Sequence, residues 1–395
     1  MSTAPSKVAG SGLRAYFWEE AAADSNARRR DGRCGFSEHI TRKLRGLRDG
    51  INSEPGTVPA MRDAHRVRLT DAARDSERLP DLYIAEHAAL TLFGRHQQAL
   101  PDPAHRPGGG LGAACRDLRR TRAFSERAVE QRLIASATAQ DLHELVQHLH
   151  RLVPLLAQAG IALDYTRLMY DFAAWQSPGR DRVLRSWGLQ YTEPAADALP
   201  ADEPAAAGED ADESAKDAPY WACFVPGRAE NGAQLAALRA GAGREPGTVP
   251  AMWPHYRTRM SPELRHQGAL TRDLIAEHAA LSLFGRHQQG RSRTMHVPGN
   301  SPGTAARLLL AKNGSGEEAL ERRFGALLTA IDTGELAMHL RGLVTLLARA
   351  EIGLDYDLLR TALRLWDDPK RPNAQGRFRD RWDRDFRIAS QPKNS

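Results

Sequence analysis

One internal repeat constrains how this chain can fold. The stretch "IAEHAALTLFGRHQQ" begins at Ile84, and "IAEHAALSLFGRHQQ" begins at Ile275, with one difference in fifteen residues. The same step of 191 residues carries "EPGTVPAM" from Glu54 to Glu245 and "LDY" from Leu163 to Leu354. The step holds without insertion over a length typical of a whole domain rather than of a solenoid unit. The sequence therefore predicts two tandem copies of one domain.

A segment between the copies has almost nothing to bury. Residues 192–219 read "TEPAADALPADEPAAAGEDADESAKDAP", a composition that is typical of a disordered linker. We therefore predict a first copy over residues 1–191, an acidic linker over 192–219 and a second copy over 220–395. The simpler explanation of the acidic residues in the linker is that they keep the protein soluble. The alternative is that they dock on a partner or mimic nucleic acid.

Apolar residues recur at helical spacing in both copies. In "EEALERRFGALLTAI" the apolar positions from Leu320 to Ile331 form one stripe of an α-helix, and the segment from Leu336 to Leu347 repeats the pattern. Asp355 follows as a suitable N-cap. No sustained alternation of Val, Ile and Thr indicates a strand. We predict an all-α fold in which each copy is a small helical bundle.

Histidines are the first candidates for chemistry. "HELVQHLH" places His143, His148 and His150 on one helix, but a zinc pair needs a spacing of four, and His143 and His148 are five apart. We expect a solvated helical face there rather than a metal site. His96 and His287 extend an apolar helical face, which favours core histidines that each make one hydrogen bond.

His87 and His278 lie on the opposite face of the repeated helix. Each follows a glutamate, Glu86 or Glu277, and such a pair could act as a general acid and base. An exposed helix pair is the commoner arrangement, and we expect that here.

The remaining signatures of enzymes and membranes are absent. The chain has no GxSxG or Walker A motif, and the glycine-rich "RPGGGLGAAC" at Arg106 does not follow a strand. We expect no catalytic residue, metal site, cofactor or small-molecule substrate. No run approaches eighteen apolar residues and the start lacks a signal-peptide core, so we expect a cytoplasmic protein without membrane contact.

Arginine supplies the main functional signal. The formal net charge is +6, but the linker holds nine acids against one lysine, so the two copies carry +14. On its helix Arg323 flanks the apolar stripe, a position from which a guanidinium can reach outward to phosphate. Such a basic surface without a base-reading motif favours contact with a nucleic-acid backbone, and a merely well-solvated surface is the alternative. The recurring candidates are Arg116 and Arg307, Arg132 and Arg323, and, one register apart, Arg151 and Arg341.

Several of these segments together resemble a known family. "REPGTVPAMWPHYR" from Arg244, the helix "LIAEHAALSLFGRHQQ", "EEALERRFGALL" and "HLRGLVTLLARAEIGLDYDLLRTALRLWDD" are similar, in order and spacing, to the CasB-type small subunit of the type I-E CRISPR surveillance complex, Cascade. The resemblance covers about residues 220–386 and 16–191. The chain thus resembles two such subunits written as one polypeptide.

This resemblance implies a non-catalytic, all-α subunit. It implies as partners the crRNA, the displaced strand of target DNA, the backbone subunits and the large subunit of Cascade. The strand-contacting positions that it implies are the six arginines named above. Copy one departs from the pattern, because Arg62 and His65 replace Trp253 and Tyr256, aromatics that we expect to pack rather than to stack on bases.

Two other classes of function remain open from the sequence. A protein-only scaffold would use its arginines on acidic surfaces of partner proteins and would have no affinity of its own for nucleic acid. A His-dependent or metal-dependent nucleic-acid hydrolase would depend on His87 and His278 or on a bound ion.

Overall fold

The computed structural model describes residues 14–69, 79–192, 218–313 and 317–387, and these residues are helical with no strand. Isolated backbone bridges join His105 to Leu163 and His296 to Leu354. The predicted all-α fold is therefore confirmed. Within the described ranges no helix combines the length and the apolar character needed to cross a membrane. Nearly all of the predicted linker, residues 193–217, lies outside the described residues.

The described residues form two compact units, which divide between Val183 and Leu184. The first unit contains α1 (Phe17–Arg30), α2 (Glu38–Arg48), α3 (Asp81–Gln98), α4 (Leu111–Arg120), α5 (Glu126–Thr138), α6 (Leu142–Gln158), α7 (Tyr165–Ala174) and the start of α8 (Arg180–Tyr191). The second contains the rest of α8, α9 (Asn231–Ala240), α10 (Pro262–Gln267), α11 (Arg272–His287), α12 (Pro302–Asn313), α13 (Glu317–Thr329), α14 (Thr333–Ala350), α15 (Tyr356–Leu365) and α16 (Ala374–Arg387).

The repeated fifteen-residue stretch forms the central helix of each unit. In the first unit α3 packs against α1, α2, α6 and α7, and in the second α11 packs against α9, α14 and α15. Neighbours on several sides bury almost every residue of these helices after their first turn. A helix enclosed in this way is apolar on most of its circumference, which explains why its sequence recurs almost unchanged.

Side-chain caps fix where the later helices begin. Asp332 accepts a hydrogen bond from the backbone N–H of Glu335 at the start of α14, and Asp355 accepts two at the start of α15. The predicted helices around Leu320 and Leu336 are both present, and so is the predicted cap at Asp355. Ile331 departs from the predicted stripe, because α13 ends at Thr329 and leaves the Ile331 side chain 78% exposed.

One glycine in each central helix permits a close crossing. A Cβ added at Gly94 would lie 2.7 Å from Cβ of Leu47 on α2, and one added at Gly285 would lie 2.6 Å from Cβ of Leu238 on α9. Both distances are shorter than the 3.0 Å that real Cβ contacts almost always exceed, so glycine is the residue that lets these backbones approach so closely.

Helix α8 begins in the first unit and ends in the second. Within the second unit, Arg185 donates from Nε to the carbonyl of Gly268 at 2.7 Å and from a terminal nitrogen to the Glu245 carboxylate at 3.0 Å. Ser186 donates from its hydroxyl to the carbonyl of His266 at 2.9 Å. The first unit thus ends eight residues before Tyr191, where the first copy is predicted to end. The end of the repeated copy at Tyr191 stays a prediction.

Candidate nucleic-acid interface

The six candidate arginines lie on three mutually packed helices in each unit. Arg116, Arg132 and Arg151 lie on α4, α5 and α6, and Arg307, Arg323 and Arg341 lie on α12, α13 and α14. Within each trio every pair of helices is in contact. The repeat therefore presents its basic residues from the same part of each bundle.

Arg116 and Arg307 are engaged by the protein itself. Arg116 is only 14% exposed at its side chain and donates from Nε to the Asp117 carboxylate at 3.0 Å. Arg307 is half-buried and donates from Nε to the carbonyl of Asp385 on α16 at 3.1 Å. Guanidiniums held in this way are less available to an external phosphate, because binding would compete with an existing contact.

Arg132, Arg151 and Arg323 are exposed. Arg132 donates to the carbonyl of Ala128 at 3.0 Å, one turn earlier on its own helix. None of these three has a carboxylate partner among the described residues. They retain a full positive charge at the surface, which is the property that contact with a phosphate backbone requires.

Arg341 lines a cavity rather than an open face. The cavity has a volume of about 240 Å³ and lies between α9, α11, α14 and the loop that follows α9. Arg239, Arg244 and Arg286 also line it, so it collects four arginines from distant parts of the sequence. Sequence reasoning missed these three, although Arg239 and Arg286 recur at the repeat step as Arg48 and Arg95.

The repeat step also separates Arg341 from Arg151. It carries Arg341 onto His150, which is buried, whereas Arg151 is exposed and corresponds to Gly342. The two units therefore place different groups at this point of the third helix.

The prediction that Glu86 and His87, and Glu277 and His278, form exposed helix pairs was wrong. All four side chains are buried, with Glu86 at 0% exposure. Glu86 accepts backbone hydrogen bonds from Arg66 at 2.7 Å and Val67 at 2.9 Å, and Glu277 accepts the equivalent pair from Arg257 and Thr258. Burial raises the pKa of Glu86, and these two N–H donors partly offset the shift. Each glutamate therefore fixes the loop before the central helix.

His278 makes two hydrogen bonds inside the second unit. Its Nε2 lies 2.9 Å from the carbonyl of Gly241, so Nε2 carries the proton, and its Nδ1 accepts from the Tyr256 hydroxyl at 2.7 Å. The same hydroxyl accepts from the backbone N–H of Gly247 at 3.2 Å. Tyr256 and Trp253 are buried, so these aromatics pack as expected.

The first unit replaces this arrangement with two histidines. His65 stands at the position of Tyr256, and its ring lies 5.7 Å from that of His87, with no hydrogen-bond partner for any nitrogen of either ring. Tyr83 stacks on His65 with ring centroids 4.5 Å apart. Burial lowers the pKa of His65 to about 4 and also lowers the pKa of His87, which the nearby carbonyls of Gly50 and Ser53 partly offset.

The other predicted histidine environments are partly confirmed. His96 and His287 are core residues as predicted, and their Nδ1 atoms lie 3.0 Å from the hydroxyls of Tyr165 and Tyr356. His287 differs from the predicted single hydrogen bond, because its Nε2 also lies 2.9 Å from the carbonyl of Ile352. On α6, His143 is exposed, but His150 is buried, so the predicted solvated face holds only in part.

Three side chains with metal-ligand chemistry approach one another among the described residues, namely those of His296, Asp355 and Asp357. Asp355 already accepts three backbone N–H groups, and Nδ1 of His296 accepts the N–H of Tyr356 at 3.2 Å. In the first unit His105 and Asp164 make the corresponding backbone contacts, and Thr166 replaces Asp357. The histidine and the first aspartate recur in both units, and their hydrogen bonds to backbone N–H groups connect the loop to the helix. We therefore interpret the cluster as a structural contact rather than an ion site.

Comparison with known proteins agrees with the repeat. The model of the family described as CRISPR-associated protein Cse2 matches residues 44–191 and again residues 234–386, together more than half of the chain. The crystal structure of CasB from Thermobifida fusca is 32% identical, with 39% of this chain and 83% of that chain covered and a TM-score of 0.30, so its superposition adds nothing to the fold assignment. A search among curated proteins gives no match.

Proposed function

This chain belongs to the CRISPR-associated Cse2 family, and from that premise we propose that it is a non-catalytic subunit of type I-E Cascade that holds the displaced DNA strand by its phosphate backbone. The same subunit supports the crRNA-bearing backbone and the large subunit in the cytoplasm. Two matches to one family model within one chain indicate that it supplies two small subunits as a single polypeptide.

One observation carries the strand-holding role. Arg132, Arg151 and Arg323 are exposed and have no carboxylate partner among the described residues. Unpaired arginines on a domain pair of net charge +14 favour a polyanion, and a guanidinium pairs well with phosphate. Arg116 and Arg307 contribute less to binding in this proposal, because each is half-buried as well as bonded to the protein, whereas Arg132 bonds to the Ala128 carbonyl from an exposed position.

The environments of Glu86, Glu277 and His278 support a role without catalysis. Glu86 and Glu277 are fully engaged with backbone N–H groups, and both nitrogens of His278 have partners. A general acid or base must reach the proton that it transfers. These groups lie in the packed interior and face loops of their own unit.

Backbone contacts alone can matter in this process. Forming an R-loop exchanges a DNA duplex for an RNA–DNA duplex of similar stability, so modest protein contacts decide how far the exchange proceeds. Holding the displaced strand removes the competitor that would otherwise re-anneal. This role requires cationic contacts and no base recognition.

A salt series on the purified full chain tests the proposal. We expect a fluorescein-labelled, 20-nucleotide single-stranded DNA to bind with an affinity that falls steeply with salt. Replacing Arg132, Arg151 and Arg323 with glutamine should weaken binding and reduce the slope of log K against log salt by about 2, since each lost single-strand contact removes about 0.7.

Arg116 and Arg307 provide the charge control. Their double glutamine variant should change the slope by less than half of the triple-variant effect, since both side chains are held internally. Equal loss per arginine in the two variants would instead indicate a diffuse charge effect. Absence of salt-sensitive binding by the unmodified chain would favour a scaffold that binds proteins only.

A further inference from the structure

The cavity around Arg341 has an unbalanced charge. Its described lining residues include Arg239, Arg244, Arg286 and Arg341 and no aspartate or glutamate. Arg286 donates from Nε to the Thr345 hydroxyl at 2.8 Å, and the guanidiniums of the other three have no hydrogen-bond or ion-pair partner among the described residues. Four positive charges around one small cavity raise the local concentration of anions.

The other polar side chains of the lining are already satisfied. The hydroxyl of Ser282 donates to the carbonyl of His278 at 2.7 Å, and that of Thr333 donates to the carbonyl of Leu363 at 3.0 Å. Both ring nitrogens of His278 are bonded within the unit. The polar side chains left to meet a ligand are therefore the arginines.

The remaining lining is apolar. Ile275, Ala279, Leu283 and Ala337 contribute aliphatic surface from α11 and α14. At about 240 Å³ the cavity is smaller than the roughly 300–1,000 Å³ of pockets that hold drug-sized molecules, so it suits a small planar group better than a folded peptide segment. The apolar wall can pack against a nucleobase, while the guanidiniums beside it can bind the attached phosphate.

We propose that this cavity of the second unit, which we call the arginine pocket, takes one nucleotide of the bound single strand, with its base against the apolar wall and its flanking phosphates on the arginines. This inference rests on the proposed strand-holding function and adds a defined anchor point to it. All four cations are arginines, whose planar forks can bind phosphate oxygens in pairs and stack on a base.

The first unit has only part of this set. The repeat step places Arg48 and Arg95 at the positions of Arg239 and Arg286, but Ser53 and His150 at those of Arg244 and Arg341. His150 is buried, and burial with the nearby Arg95 charge lowers its pKa to about 4, so it is neutral at pH 7. The anchor therefore belongs to the second copy, and the displaced strand meets two unequal copies.

A photo-crosslinking experiment on the full chain tests the pocket. The probe is a 20-nucleotide oligothymidylate with one 4-thiothymidine, crosslinked by near-ultraviolet light and mapped by mass spectrometry. We expect crosslinks in peptides that contain residues 275–286 or 333–341, and about tenfold fewer in the corresponding peptides of the first copy. Ala337→Trp fills the cavity without changing charge and should reduce the second-copy crosslinks about tenfold.

Met338→Trp is the matched control, because Met338 is the next residue of α14 and its side chain is 56% exposed. It should leave the crosslinks unchanged, and circular dichroism with thermal melting checks that both variants are folded. If the unmodified chain binds the probe but Ala337→Trp changes neither crosslinks nor affinity, the pocket is refuted and strand holding stands. If the unmodified chain binds no probe at low salt, the proposed function itself is refuted.

Discussion

Replacing Tyr256 with phenylalanine should destabilise the second unit, because one buried hydroxyl satisfies two other buried groups. It donates to Nδ1 of His278 at 2.7 Å and accepts from the backbone N–H of Gly247 at 3.2 Å. Phenylalanine keeps the ring and removes only this oxygen. Tyr256, His278 and Gly247 are all buried, so little water is available to replace the lost partner.

The expected cost follows from these two orphaned groups. A buried donor or acceptor without a partner costs about 1–3 kcal/mol, and a small relaxation of the loop would recover part of the sum. We expect the free energy of unfolding of the second unit to fall by about 2–4 kcal/mol. Since about 1.4 kcal/mol corresponds to a tenfold change in an equilibrium constant, the local opening constant should rise roughly 30- to 700-fold.

Hydrogen exchange read by mass spectrometry measures this change locally. Peptides that cover the loop before α11 and α11 itself should exchange faster in Tyr256→Phe by that factor, whereas first-unit peptides report any global effect. The chain also offers a matched control at the same position of the repeat. His65→Phe removes a ring without hydrogen bonds and keeps an aromatic contact with Tyr83, so its cost should stay within about 1 kcal/mol.

Equal costs for Tyr256→Phe and His65→Phe would refute the reasoning, because the hydroxyl would then contribute nothing beyond packing. If His65→Phe alone lowered the free energy of unfolding strongly, the first unit would depend on its histidine pair even though neither ring makes a hydrogen bond.

Two further outcomes can be measured on the same chain. Gly285→Ala should lower the urea midpoint of the second unit by forcing α9 away from α11, although alanine favours helix by about 1 kcal/mol. Gly342→Ala is the control, because it has open space around its Cα, and it should raise the midpoint slightly. A higher urea midpoint in both variants would contradict the close crossing. Acidification from pH 6.5 towards 4 should lower the free energy of unfolding, because the unfolded chain takes up protons that the folded chain excludes. The loss should reach up to about 3 kcal/mol for each of the five buried histidines named at the end of this paragraph. A urea midpoint that stays constant between pH 7 and 5 would exclude this effect. The histidines whose pKa burial lowers to about 4 are His65, His96, His150, His255 and His287.

The sequence predicts the repeat and the helices well because both are local patterns. The stripe around Leu320, the helix after Asp332 and the cap at Asp355 each depend on residues a few positions apart. Glu277 shows where this reasoning fails. Helical periodicity placed it on an exposed face, but its partners are backbone groups of Arg257 and Thr258, about twenty residues earlier. A loop that folds over a helix leaves no trace in the helix pattern.

The candidate site was predictable in part for the same reason. The six arginines that the sequence singles out all lie on helices. The sequence could not show that Arg116 bonds to Asp117 or that Arg307 bonds to the carbonyl of Asp385, since those contacts depend on side-chain direction and on a distant helix. Arg239 and Arg244 join Arg341 across about a hundred residues of chain. Only the packing of both α9 and α14 against α11 brings them together.

The position of α8 affects how such a gene could be divided. A stop codon after Tyr191 would respect the predicted repeat, yet the product would carry Leu184–Tyr191, residues that the intact chain assigns to the second unit. A cut before Leu184 would respect the folded units but break a continuous helix. The predicted end of the first copy and the observed end of the first unit therefore fall at different residues. Two halves expressed from separate plasmids would differ in which half carries Leu184–Tyr191, a choice that the single chain does not face.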